Sequence, residues 1–145
     1  MTLQTGVGVA RGSDGFEAGK EAARAALDRA GGERPDAALV FAAVRYGVEE
    51  VRQGVRSVLP DAPLVGCSDA GVIVHAGVKK GVVAVMTLQK PGMTAAAAVV
   101  DDLDAERDEP AQRLARSAQA ALDPRLRANG VCVTPMTDGA PAKSS

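Results

Sequence analysis

A strand-length apolar run at Ala37–Val44, with helical periodicity on either side and a further apolar run beyond each, limits the fold more than any other feature. Ahead of it, Thr5–Ala10 alternates Val7 and Val9 with glycines and reads as a short strand; after it, Leu64 and Val65 begin another. The stretches between recur at helical spacing. Ala22, Ala23, Ala26, Leu27 and Ala30 mark the first, and Val48, Val51, Val55 and Val58 the second. A β-α-β-α-β succession predicts an α/β fold whose sheet starts parallel. The central run is apolar on both faces, which suits a strand covered on each side.

Start and stop signals agree with this reading. Asp14 with Glu17 has the acidic form of a capping box, and Gly31 and Gly32 end the helix they open. In the second helix Glu49, Glu50, Arg52, Gln53 and Arg56 lie opposite the valines, making it an amphipathic surface helix that stops before Pro60.

The third strand enters Gly66-Cys67-Ser68-Asp69-Ala70-Gly71, which reads as a loop of small and polar residues. A short strand Gly71–His75, a turn Ala76–Lys80 and a longer strand Gly81–Gln89 follow. Pro91 and Gly92 occupy the central positions of a type II turn, after which Thr94–Val100 is expected to return as an antiparallel partner. The second half therefore begins as an antiparallel meander on the edge of a mixed sheet with covering helices. Asp101–Glu109 is an acidic lead-in that complements the dipole of a helix starting at Pro110 and ending before Pro124. A last strand, Gly130–Pro135, runs into the turn Thr137-Asp138-Gly139. One domain is expected over residues 1–145, with 140–145 as a disordered tail.

Composition excludes several functions. Seventeen basic residues against 18 acidic ones leave a formal charge of −1, without the basic excess that nucleic acid requires. Two Phe, one Tyr and no Trp give little to stack on bases and force a core of Val, Ala and Leu. No apolar run reaches the ~20 residues of a membrane span, and Met1–Gly6 lacks signal-peptide character, so a cytoplasmic location is expected. Cys67 and Cys132 make no disulfide framework; both lie in apolar runs and are expected as buried thiols.

Motif matches fail on single residues. Gly6-x-Gly8 lacks the third glycine of a dinucleotide fingerprint, because Arg11 stands there, and Gly19-Lys20 is followed by Glu21 rather than Ser or Thr. An EF-hand loop starting at Asp102 would need glycine where Arg107 stands. Gly66-Cys67-Ser68-Asp69-Ala70 approaches a nucleophile elbow but ends in Ala70, and His75 is the one imidazole base in the chain.

Taken in order, these segments resemble the N-terminal part of the FIST N domain of signal-transduction proteins. The resemblance is carried by the helix Gly15–Ala30 after a Gly-rich strand, Ala38–Val44 leading into Arg45-Tyr46, and the turn Gly66-Cys67-Ser68-Asp69-Ala70-Gly71. Gly81–Leu88 and the Val131–Gly139 strand and Asp-Gly loop add to it. It implies a sensory module for small ligands, with amino acids suggested, that continues in other members into a C-terminal FIST region; the chain is therefore expected to be a truncated copy or fragment. Some relatives bind haem, which would make His75 an axial ligand; otherwise no cofactor and no metal is expected.

Three functional classes stay open. In a sensor, Arg45 suits a carboxylate, Ser68 and Asp69 an ammonium or hydroxyl, and Tyr46, Gly66, Cys67, Gly71 and Asp138 complete the candidate ligand site at the carboxyl ends of the strands. Each also reads as an ordinary loop residue. In an enzyme, Cys67 or Ser68 would be the nucleophile. In an interaction half-module, the chain would self-associate or complete a signalling partner or the missing FIST region. Neither nucleic acid nor membrane is expected as a partner.

Overall fold

The structure, a computed structural model, describes residues 2–99 and 108–122. Its residues form two units, Met1–Ala95 and Ala96–Ser145. The first unit begins with β1 (Gln4–Ala10), α1 (Gly15–Arg29), β2 (Ala37–Ala43), α2 (Val48–Arg56) and β3 (Leu64–Asp69). A hairpin of β4 (Val72–Val74) and β5 (Gly77–Lys79) and then β6 (Val83–Gln89) complete it. Among the described residues no helix is long and apolar enough to cross a membrane.

Side-chain size sets how closely the layers approach. Helix α1 lays Ala18, Ala22, Ala23 and Ala26, all fully buried, against the sheet. A carbon added to Gly8 would stand 1.9 Å from the carbonyl oxygen of Ala22, and one added to Gly6 1.9 Å from that of Ala26. The helix backbone thus rests directly on β1, as a core without large aromatics requires. Asp14 caps α1 by accepting the N–H of Glu17 at 2.9 Å. Its end is a Schellman turn: Gly32 donates to the carbonyl of Leu27 at 2.9 Å and Gly31 to that of Asp28 at 3.2 Å, with φ of 79° and 101°. Helix α2 buries Val51, Gly54 and Val55.

The four-stranded sheet has the order β1-β6-β2-β3. Strands β2 and β3 are parallel, and β6 runs antiparallel to both β1 and β2. The α/β class and mixed sheet agree with the sequence reading, but β6 lies in the interior rather than at the edge. Val83 and Val85 are fully buried on the helix face and Ala84 is buried on the other, a double burial that only an interior strand provides. Each fully buried valine contributes about 1.5–3 kcal/mol.

That position also explains why Thr94–Val100 forms no partner strand over its described residues 94–99. The expected turn exists, with Met93 donating to Lys90 at 2.9 Å and Gly92 at φ 79°, yet both flanks of β6 are taken. The expected turn Ala76–Lys80 contains β5, which pairs Val72 with Lys79 and Val74 with Gly77. Val72 and Val74 join Val9, Phe41, Val82 and Ala84 in a second cluster. Alternation along the strands places Val9, Phe41 and Ala84 on the sheet face opposite α1.

In the second unit, α3 (Asp108–Ala121) carries half-buried Leu114, Ala115 and Ala118, with Leu122 just beyond its end. The strand expected at Gly130–Pro135, the following turn and Cys132 lie outside the described residues.

Two predictions test this packing and the surface of α2. Gly8→Ala is expected to lower stability by about 1–3 kcal/mol in denaturant unfolding, because the methyl group meets helix backbone that cannot yield. On α2, Glu49 accepts from Arg52 Nε and Nη2, both at 2.7 Å, and from Gln53 Nε2 at 3.0 Å. The Arg52 hydrogen bond, then that of Gln53, holds the Glu49 carboxyl at about 2, below the usual carboxylate range. Its charged form is favoured in the folded chain, so its contribution is complete above that range and disappears as acidification reaches about 2. A carbon-detected NMR titration should place Glu49 below the usual carboxylate range, and Arg52→Gln should return it upward.

Candidate functional site

Strands β1, β2 and β3 point the same way, so their carboxyl ends lie along one rim of the sheet, where antiparallel β6 begins. Ala10 faces Val83, Ala43 donates to the carbonyl of Val82 at 2.9 Å, and Val44 donates to that of Asp69 at 3.1 Å. The segments Arg11–Asp14, Val44–Gly47, Ala70–Gly71 and Lys80–Val82 therefore meet at this rim.

Tyr46 organises it. The residue is 6% exposed, and its hydroxyl lies 3.3 Å from the carbonyl oxygens of both Gly12 and Gly81, to which its single proton is shared. Its ring lies under the guanidinium of Arg45, whose central carbon is 4.6 Å from the ring centroid. Tyr46 thus supports Arg45 and ties two connections together instead of presenting its hydroxyl to solvent. Arg11 joins from the β1–α1 connection, donating through Nη2 to the carbonyl of Lys80 at 2.6 Å.

The remaining candidates divide. Gly66, Cys67, Ser68 and Asp69 belong to β3, registered with Val40, Phe41, Ala42 and Ala43, and do not form the expected loop. Edge strands take polar residues because only the backbone ladder holds them. A side chain at Gly66 would meet the Val40 carbonyl oxygen at 2.2 Å, so this glycine serves packing. Cys67 is exposed, against the expected buried thiol, because it lies on the edge strand. Ser68 is exposed on the opposite face. Asp69 accepts the N–H of Gly71 at 3.2 Å, closing the strand with an Asx turn. His75 is exposed in the β4–β5 turn. Among the described residues neither Cys67 nor Ser68 hydrogen-bonds to it, and no cluster of metal-ligating side chains occurs. Asp138 lies outside the described residues.

Electrostatics single out the arginines. The carboxylates of this region are engaged by backbone donors: Asp14 by Glu17, Asp69 by Gly71, and Glu50 by the N–H of Gly15 at 3.3 Å. Among the described residues no carboxylate lies within ion-pair distance of Arg11 or Arg45. Sequence reasoning missed Arg11, Lys80 and Gly81. Arg11 carried one signal, a cation directly after a strand, which gains meaning only once β6 brings Gly81 beside it. A cavity of about 290 Å³ at the opposite end, lined by Leu27, Pro35, Val58 and Leu59 among others, carries charges that pair with each other, Arg34 and Asp61 at 3.4 Å.

Tyr46→Phe tests the clamp. It should cost about 0.5–1.5 kcal/mol in thermal unfolding while leaving the ring under Arg45 in place.

A family model described as FIST N domain matches residues 36–142, so β1 and α1 lie ahead of the matched segment. A comparison with curated proteins returned no match. FIST domains are sensory domains of signal transduction and are not an enzymatic kind. With most of its length matched, this chain belongs to the FIST N domain family.

Proposed function

We propose that this chain is a non-catalytic sensory domain of the cytoplasm that binds a small carboxylate, an amino acid being the class the family resemblance suggests. One observation carries the reading: Arg45 stands at the shared carboxyl end of three parallel-running strands, seated on Tyr46 and without a carboxylate partner among the described residues. Crevices beyond the carboxyl ends of such strands are where α/β sheets take ligands. A guanidinium already oriented by an aromatic ring presents its planar fork at little entropic cost. Asp69, at the end of the neighbouring strand, supplies a carboxylate for the ammonium end. The signal then passes to a partner protein or to the rest of a FIST region, with no chemistry at Cys67 or Ser68. Ile73 and Val78, paired across the hairpin and 82% and 64% exposed, favour a coexisting role in association.

A thermal-unfolding panel of the twenty amino acids, acetate and succinate at millimolar concentration tests the reading. A ligand at a hundredfold excess over its Kd should stabilise the chain by about 2.7 kcal/mol, and Arg45→Gln should remove the shift. A panel in which nothing raises the unfolding temperature would sink the proposal.

A further inference from the structure

We propose that Arg11 and Arg45 form a two-guanidinium clamp beside Gly81 that receives an oxyanion group of the ligand, a carboxylate or a phosphate. The proposal rests on the sensory reading for its ligand but stands on separate geometry. A carbon placed on Gly81 would lie 3.7 Å from Nη2 of Arg11 and 3.7 Å from Nη1 of Arg45. Two cationic side chains from different connections thus border the same spot, and glycine leaves it accessible. Gly81 also holds φ of 63°, a conformation that side-chain-bearing residues rarely adopt, so the backbone itself favours keeping the position small.

Bringing two like charges to one place is unfavourable unless an anion lies between them. The nearby carboxylates Asp14, Glu50 and Asp69 accept backbone N–H groups, and among the described residues none lies within ion-pair distance of either arginine. Neither guanidinium needs to be ordered by the ligand. Arg11 is anchored through Nη2 to the Lys80 carbonyl, and Arg45 lies on the Tyr46 ring. Each retains further N–H donors, and an oxyanion has lone pairs enough to accept from both. Lys80 adds a third positive charge to the rim. Arg11 precedes residues 36–142, so the clamp gives the β1–α1 connection a part in recognition that the matched segment alone does not contain.

Isothermal titration calorimetry on the full chain at low ionic strength tests the clamp with four probes: inorganic phosphate, acetate, L-alanine and L-alaninamide. Phosphate or the carboxylates should bind, L-alaninamide should bind at least about tenfold more weakly than L-alanine, and Arg11→Gln and Arg45→Gln should each weaken binding about tenfold. The preferred probe identifies the oxyanion as phosphate or carboxylate. Arg11→Lys, which keeps the charge and loses the fork, should fall between wild type and Arg11→Gln, and circular dichroism establishes that each variant is folded. Undiminished binding by folded Arg11→Gln overturns the clamp and leaves the sensory reading intact, whereas equal binding of L-alanine and L-alaninamide overturns the clamp and the carboxylate reading with it. Phosphate binding that depends on both arginines, with no response to any carboxylate, supports the clamp and removes the carboxylate reading. No binding of any probe overturns the clamp.

Discussion

The hydrogen-bonded insertion of β6 between β1 and β2 is the constraint on which the first unit depends. It separates two strands that run the same way, fills the middle of the sheet with Val83 and Val85, and carries Thr87 into a fully buried position. There the Thr87 hydroxyl lies 3.4 Å from the carbonyl oxygens of Gly6 and Ala26, joining β6 to both β1 and α1. Because β6 runs against its neighbours, its amino end meets their carboxyl ends. Lys80 and Gly81 reach the rim for that reason alone, and the arginines acquire their common neighbour with them.

The rim combines rigid support with positive charge that has no carboxylate partner among the described residues. Tyr46 fixes the connections after β1 and before β6 through its hydroxyl and Arg45 through its ring. Acidic side chains nearby complete backbone turns, where a carboxylate accepts N–H groups that would otherwise lack partners. Positive charge is left at the surface as a result of how the helix starts and the strand end are satisfied. Local hydrogen bonding and the long-range charge pattern are two consequences of the same placement.

How much was legible in the sequence depended on whether the information was local. Helices α1 and α2 and strand β2 follow their apolar spacing and caps to within a residue or two, since Asp14, Gly31 and Gly32 act on their own turns. The interior place of β6 is a statement about neighbours far along the chain. Its valines and alanine were apolar on both faces, a signal for burial, but the Lys90–Met93 turn suggested a partner that the occupied flanks exclude. Cys67, Ser68 and Asp69 read as loop because their side chains are small or polar, whereas their backbones pair with β2. Arg45 and Tyr46 were found from their place after a strand; Arg11 had the same place and was noted only for spoiling a glycine motif. Asp138 and the final strand fall beyond the described residues.

The contact of α1 with β1 through Gly6, Gly8 and a row of fully buried alanines has a consequence for sequence change. In a core built from leucines or aromatics, the usual injury is a hole left by truncation, which neighbours partly collapse to fill. Here there is almost nothing to truncate, since Ala22 has one methyl group to lose and Gly8 none. Injury comes from growth instead, and the backbone on the far side of the contact has no rotamer by which to retreat. This layer is therefore tolerant in one direction only, and substitutions that would pass unnoticed in a larger-residue core act on it as wedges.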